Sequence, residues 1–107
     1  MRVDKGMKES EIQKQIVDYL EAMNFIVLRT NSGQIHIGNR WIMLCKAGTS
    51  DLTCMDTRGR FIAIETKRPG KDLTEEQKRY KKRVEDRNGI YIKADCLGDV
   101  VTGLCTV

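Results

Sequence analysis

The chain has 107 residues, 40% of them apolar, and a net charge of +4 at pH 7. A chain of this length forms one domain with a modest core, so we expect residues 1–107 to fold as a single unit. No apolar stretch approaches membrane-spanning length and the charged N-terminus lacks an apolar signal segment, so we expect a cytoplasmic protein. The basic balance favours a polyanionic partner, although many small proteins are mildly basic for no specific reason.

The four cysteines are Cys45, Cys54, Cys96 and Cys105. No two of them have the Cys-x-x-Cys spacing of a zinc-ligand pair, so the sequence does not predict a zinc site. Cys45 and Cys54 lie in strand-like segments and are expected to pack as small apolar residues in a reducing compartment.

The first predicted helix extends from about residue 10 to residue 23. Its apolar residues recur at helical spacing, at Ile12, Ile16, Val17, Leu20 and Met23. At 100° per residue, Glu9 and Gln13 fall on this apolar face, whereas Glu11 falls well off it. Acidic residues are also common in the first turn of a helix, which would explain Glu9 and Glu11 without a functional role.

Strand-like runs follow the first helix. The predicted strands are 25–29, closed by a turn at 31–33, then 40–44, a strand leading from Asp51, the run 61–66 and finally 90–92. A second helix is predicted from Thr74 to about Arg87, and a weak terminal helix from Asp99 is cut short by Gly103. The order is α-β-β-β-β-α-β. Because the second helix crosses between two strands, the last strand is expected to lie parallel to 61–66 in a mixed α/β sheet flanked by helices.

Two segments of the chain meet in the strongest candidate site. Asp51 precedes one strand, and Glu65 ends an apolar, β-branched run that reads as a buried strand. Between them, Gly59 stands where a tight turn needs a left-handed residue. A loop at 57–59 pairs Asp56 with Arg60, and this register puts Asp51 directly across from Glu65.

Side chains directly opposite on antiparallel strands have Cβ atoms about 5 Å apart, so these two carboxylates can share one hard cation. Lys67 points to the same face as Glu65, and the strand carbonyl of Thr66 lies between them. This combination suits metal-assisted attack on a phosphodiester. The alternative is structural: Glu-x-Lys alone is common in exposed strands, and Asp51 alone could be a turn residue.

Basic residues cluster after this candidate site. The second helix carries Lys78, Arg79, Lys81, Lys82, Arg83 and Arg87. The simplest interpretation is a solvated helix face. Because the helix directly follows the Glu65 strand, its start is expected near the carboxylates, where cations could contact flanking phosphates. The predicted nucleic-acid-binding residues are Arg68, Lys71, Lys78, Arg79 and Lys82.

Several motifs, in the same order along nearly the whole chain, resemble the VRR-NUC domain, a branch of the PD-(D/E)XK nuclease superfamily, and its short stand-alone phage members. The matching stretches are Glu11-Ile12-Gln13, Arg29-Thr30-Asn31-Ser32-Gly33, Gly48-x-x-Asp51-Leu52, Ala63-Ile64-Glu65-Thr66-Lys67-Arg68-Pro69-Gly70 and Leu73-Thr74-x-x-Gln77. The chain departs from the family at Ser50, where members usually have proline. Serine is expected to loosen this loop without removing a ligand.

The resemblance implies a restriction-endonuclease-like α/β fold and metal-dependent hydrolysis of DNA. In such a site Asp51, Glu65 and the Thr66 carbonyl hold one or two Mg²⁺ ions, with Mn²⁺ as the alternative cation. Lys67 orients the nucleophile or stabilises charge that develops in the transition state.

The resemblance also implies site residues on both helices. Superfamily members use an acidic or amide residue of the first helix near the metal, and the helical geometry favours Gln13 over Glu9 for this position. The family assigns a site role to the glutamine at Gln77, which also fits a capping box with Thr74.

Short stand-alone members of the family resemble Holliday-junction resolvases that act as homodimers on branched DNA, which places the protein in the host cytoplasm if a phage encodes it. The alternatives are a nucleic-acid-binding module without catalysis, a simple nicking nuclease, and a basic interaction domain. His36 is expected to be an incidental loop residue. Candidate dimer-surface residues, all of which could equally be core, are Trp41, Met43, Val100, Val101 and Leu104.

Overall fold

The computed structural model describes residues 7–31, 34–43 and 45–105, in one α/β fold. The elements are α1 (Glu9–Ala22), β1 (Ile26–Arg29), β2 (Gln34–Ile37), β3 (Arg40–Met43), β4 (Leu52–Met55), β5 (Phe61–Thr66), α2 (Glu75–Asp86), β6 (Ile90–Ala94) and α3 (Leu97–Cys105). Predicted residues that lie outside the described part are Ser32, Gly33 and Leu44, together with the side chain of Met43. None of the described helices is long and apolar enough to cross a membrane.

The main sheet of the described chain has the strand order β1-β4-β5-β6. The strands β4 and β5 form an antiparallel hairpin, and β1 extends it on one side. The strand β6 pairs in parallel with β5, from Ile62 opposite Ile90 to Thr66 opposite Ala94. The predicted mixed sheet is therefore confirmed, with α2 as the crossover between its parallel strands.

The structure adds one strand to the predicted elements and lengthens the terminal helix. Residues 34–37 form the additional strand β2, which pairs with β3 in a separate hairpin around Gly38. The helix α3 does not stop at Gly103 but continues to Cys105. A Cβ at Gly103 would be 2.8 Å from the Ile92 side chain, so this glycine lets the helix approach β6 rather than ending it.

Helices cover both faces of β5, which explains its continuous apolar run. On one face, α1 and α3 bury a cluster that comprises Ile12, Ile16, Leu20, Leu52, Cys54, Ile62, Ile64, Ile92, Ala94 and Val100. On the other face, α2 packs Val84 against Ala63 and Tyr91. Val100 is fully buried, so of the two alternatives left open for it, dimer surface or core, the structure shows the core.

The turn before Asp51 packs against the start of α2. Its Gly48 has a φ of +89°, and a Cβ added there would be 2.5 Å from the carbonyl oxygen of Glu76. The N–H of Thr49 closes the turn by donating to the carbonyl of Lys46 at 3.1 Å. Glycine is needed here for both its backbone conformation and its missing side chain, and the contact fixes the position of α2 relative to Asp51.

We predict that Gly48→Ala lowers the free energy of unfolding by more than the ~1–2 kcal/mol that a left-handed backbone alone costs, because the new methyl group displaces α2. Gly59→Ala is the matched control, since Gly59 has a φ of +82° and an added Cβ there meets no described atom within 4 Å. Urea unfolding of both variants measures the difference. Equal losses would contradict a tight contact between the turn and α2.

Candidate active site

Asp51 and Glu65 lie side by side where β4 begins and β5 ends. Leu52 pairs with Ile64, so the same register extended by one residue places Asp51 opposite Glu65. The turn also follows the prediction, because the Asp56 N–H donates to the Arg60 carbonyl at 3.3 Å. The hairpin register that the sequence predicted is therefore confirmed.

Thr66 holds the carboxylate of Asp51. Its N–H and its Oγ1 both donate to Asp51 Oδ2, at 2.9 and 2.7 Å. The same hydroxyl accepts from Nε2 of Gln13 on α1 at 3.4 Å. A chain of contacts therefore links the first helix to Asp51 through the Thr66 side chain, a role that the sequence did not predict beyond the Thr66 carbonyl.

Glu65 is 4% exposed and is contacted from α2. Gln77 donates from Nε2 to Glu65 Oε2 at 3.1 Å. The Oε1 of Gln77 accepts from the N–H of Thr74 at 2.9 Å, and the Thr74 hydroxyl accepts from the N–H of Gln77 at 3.2 Å. Gln77 thus completes the predicted capping box and contacts Glu65 at the same time.

The electrostatics of Glu65 are dominated by burial. Burial first, and the Asp51 carboxylate second, raise the pKa of its carboxyl to about 8 against the opposing effect of the Lys67 charge. Burial, followed by the charges of Glu65 and Asp51, also raises the pKa of Tyr91. This places a phenol that sequence reasoning missed within electrostatic range of both carboxylates.

A divalent cation fits this arrangement. Among the buried side-chain atoms of the described residues, Glu65 Oε1 and the Tyr91 hydroxyl have no hydrogen-bond partner. A buried carboxylate oxygen without a donor is costly, and a cation held by both carboxylates would remove that cost. The donors are oxygen atoms, which suit a hard cation such as Mg²⁺ or Mn²⁺.

On α1, helical periodicity predicted that Gln13 and Glu9 share one face. Gln13 accepts at Oε1 from the guanidinium of Arg29, at the end of β1. Glu9 accepts at Oε2 from the N–H of Arg68 at 3.2 Å, one residue after Lys67. Glu11 instead accepts from the N–H of Lys8 at 3.1 Å, which is a helix cap. Gln13 and Glu9 therefore face the candidate site, and Glu11 does not.

Hydrogen bonds hold the segment that contains Ser50 and Asp51. Ser50 is fully buried, and its hydroxyl donates to the carbonyl of Leu52 at 2.9 Å. The Thr30 hydroxyl donates to the Ser50 carbonyl at 3.0 Å, and the Thr30 N–H donates to the Asp51 carbonyl at 2.9 Å. These hydrogen bonds fix the backbone on both sides of Asp51.

The predicted nucleic-acid-binding residues differ in their surroundings. Lys78 lies 3.4 Å from Glu75 and 3.7 Å from Asp72, and these carboxylates raise its pKa. Lys82 pairs with Asp86 at 3.0 Å. Arg68, Lys71 and Arg79 are exposed. The helix thus has cations that are paired with its own carboxylates and others that are not.

Comparisons with known proteins identify the family and the fold. The family model described as "VRR-NUC domain" matches residues 7–95. A solved structure described as "VRR_NUC domain" superposes with a TM-score of 0.67 at 20% sequence identity, covering 94% of each chain. The likeness to this structure shows a common fold. No curated protein matches the sequence.

We predict that the metal-free protein becomes less stable as the pH rises. The pKa of Glu65 is 4.5 in the absence of structure and about 8 in the fold. Between these values the folded state keeps a proton that the unfolded state has released, so the stabilisation present below pH 4.5 is lost as the pH rises through about 8. The slope is at most about 1.4 kcal/mol per pH unit. Urea unfolding in EDTA at several pH values measures it.

Glu65→Gln is the matched control for this titration, since it keeps the shape of the side chain and removes the ionisable group. Its stability should change less between pH 5 and 8 than that of the wild type, as expected from linkage over roughly this range. The same pH dependence in both proteins would show that another group carries it.

Proposed function

Because the chain belongs to the VRR-NUC nuclease family, we propose that it is a metal-dependent, structure-specific endonuclease that hydrolyses DNA phosphodiesters. The observation that carries the proposal is the pairing of Asp51 with the buried Glu65 at the end of a sheet, two residues before Lys67. Two carboxylates of this kind are costly to a fold that does not use them.

The residues that would hold the cation are Asp51, Glu65 and the Thr66 carbonyl, with Mg²⁺ as the expected ion and Mn²⁺ as the alternative. When bound, a divalent cation supplies positive charge against the scissile phosphate and makes an attacking water more acidic. The hydrogen bonds of Thr66 and Gln77 set the orientation of the two carboxylates toward such an ion. Both donors are neutral, so they orient the ligands without cancelling their charge.

Besides the metal ion, Lys67 is proposed to supply a catalytic positive charge from the protein. Its charge lowers the pKa of Glu65, which supports an ammonium group close to the carboxylates. A fixed positive charge at this position stabilises the negative charge that grows on the phosphate oxygens in the transition state. Gln13, held by Arg29 and Thr66, supports the site from the α1 side.

The substrate is proposed to be branched DNA, cut in the manner of a Holliday-junction resolvase. The net charge of +4 supports a polyanionic substrate, since the acidic pair lies within a basic protein. The runner-up is a DNA-binding module without catalysis, and intact Asp51, Glu65 and Lys67 argue against it.

We predict that the purified protein cleaves DNA with Mg²⁺ and not in EDTA. Asp51→Asn removes one charged ligand and should abolish cleavage. Lys67→Ala should reduce the rate by on the order of a hundredfold or more while leaving DNA affinity largely intact, because the lost charge acts in the transition state. Single-turnover assays on linear, flap and four-way-junction substrates measure these rates.

Lys14→Ala is the control for loss of a lysine, since Lys14 is exposed and pairs with Asp18 on α1. Thermal unfolding separates metal binding from cleavage: Mg²⁺ should stabilise the wild type and not Asp51→Asn. Cleavage by Lys67→Ala at the parental rate, or an equal Mg²⁺ shift in Asp51→Asn, would contradict the assigned roles.

The working unit is proposed to be a homodimer, because one site makes one nick and a junction needs two symmetric nicks. Trp41 is 67% exposed, which excludes it from the core of the described chain. It lies in the β2–β3 hairpin, stacked on His36 with ring centroids 4.7 Å apart. Ile37 and Ile42 add exposed apolar surface there. Isolated two-stranded hairpins are marginal in water, so a partner surface would stabilise this one.

We predict a dimer in sedimentation at micromolar concentration. Trp41→Ser should weaken it, because an exposed aromatic ring commonly anchors an interface. Met23→Ser is the control, since Met23 is also exposed but lies at the end of α1. A strict monomer, both free and junction-bound, that still cuts DNA would leave a simple nicking nuclease.

A further inference from the structure

A groove of about 710 Å³ lies between the segment 45–49 and α2. The side chains that matter here are Lys46 on the segment, and Glu76, Arg79, Tyr80 and Arg83 on the helix. Tyr80 is held in place by an edge-on contact with Tyr91, with ring centroids 6.4 Å apart. The groove therefore has an aromatic ring on its α2 wall, and both of its walls carry cations.

One end of the groove lies beside the candidate active site. Gly48 is packed against the Glu76 backbone at this end, and Asp51 follows the groove-lining Thr49 by two residues. On the helix side, Gln77 comes directly after Glu76 and donates to Glu65 at 3.1 Å. Both walls of the groove are therefore continuous in sequence with residues of the candidate active site.

The charge of the groove suits a polyanion. Of its described lining residues, Lys46, Arg79 and Arg83 are cationic and Glu76 is anionic. Arg79 and Arg83 are four residues apart, so they lie on one side of α2 and about 6 Å apart along its axis. Guanidinium groups donate in a planar fork that matches phosphate oxygens.

The same helix carries a second set of cations whose charge is already partly neutralised. Lys78 lies near Asp72 and Glu75, and Lys82 pairs with Asp86. The ion pairs of the described α2 residues involve these two lysines, and none of them involves Arg79 or Arg83. The cations of α2 therefore form two sets. Lys78 and Lys82, the flank, are paired with carboxylates, whereas Arg79 and Arg83 line the groove and have no described ion pair.

We propose that this groove binds the sugar-phosphate backbone of the DNA strand next to the scissile bond. Arg79 and Arg83 contact its phosphates from α2, and Lys46 contacts it from the facing segment. The Lys78–Lys82 flank contributes less. This assignment rests on the proposed nuclease function, and it names the surface through which the protein would bind its DNA substrate.

The test compares two double variants that remove the same charge from the same helix, Arg79→Gln with Arg83→Gln, and Lys78→Gln with Lys82→Gln. Fluorescence anisotropy with a fluorescein-labelled DNA duplex in EDTA measures the Kd without cleavage. The groove pair should raise the Kd at least about tenfold and lower the salt slope by about 1.8. The flank pair should raise the Kd by less than the groove pair does.

Lys46→Gln tests the facing wall without altering α2, and should weaken binding about threefold or more, as loss of one phosphate contact does. Thermal unfolding checks that each variant is folded. An equal or larger effect of the flank pair, or no effect of Lys46→Gln, overturns the groove assignment and leaves the nuclease proposal standing. A wild type that binds through the groove but cuts no DNA overturns the nuclease proposal alone, and a wild type that binds no DNA overturns both.

Discussion

The burial of Glu65 next to Asp51 is the constraint on which the rest of the site depends. A carboxylate that is 4% exposed loses most of its hydration, and a second carboxylate beside it adds repulsion. The burial of Glu65 follows from the packing of β5. Helices cover both faces of this strand, so its last residues lie in the protein interior. Helices on both faces also explain how α2 contacts Glu65 through Gln77 while α1 contacts Thr66 through Gln13.

The groups that touch the two carboxylates are mostly neutral. Thr66 and Gln77 donate hydrogen bonds from a hydroxyl, a backbone N–H and an amide, and none of these carries a charge. Neutral donors fix the direction of a carboxylate and leave its negative charge available, whereas an arginine in the same place would neutralise it. The guanidinium of Arg29 donates to Gln13 rather than to Asp51. The arrangement therefore leaves both carboxyl groups without an ion-pair partner among the described residues.

Local patterns predicted the parts of the structure that are fixed by local geometry. The register of Asp51 against Glu65 follows from one turn, and the orientation of Gln13 and Glu9 follows from helical periodicity. The pairing of Lys78 and Lys82 with acidic neighbours was not predicted, although spacings of three and four residues on a helix permit it. The strand β2 was not among the predicted strands, although Gly38 and Asn39 between β2 and β3 are a hairpin signal.

Contacts between distant segments could not be read from the sequence. The link from Gln13 through Thr66 to Asp51 spans more than fifty residues, and no local sequence pattern predicts it. The same holds for the packing of Gly48 on the backbone of Glu76, which brings the turn before Asp51 against the start of α2. A single close backbone contact thus sets how far the α2 cations stand from the carboxylates. In a basic protein with an acidic site, that distance decides whether the positive surface cancels the site or leads a polyanion to it.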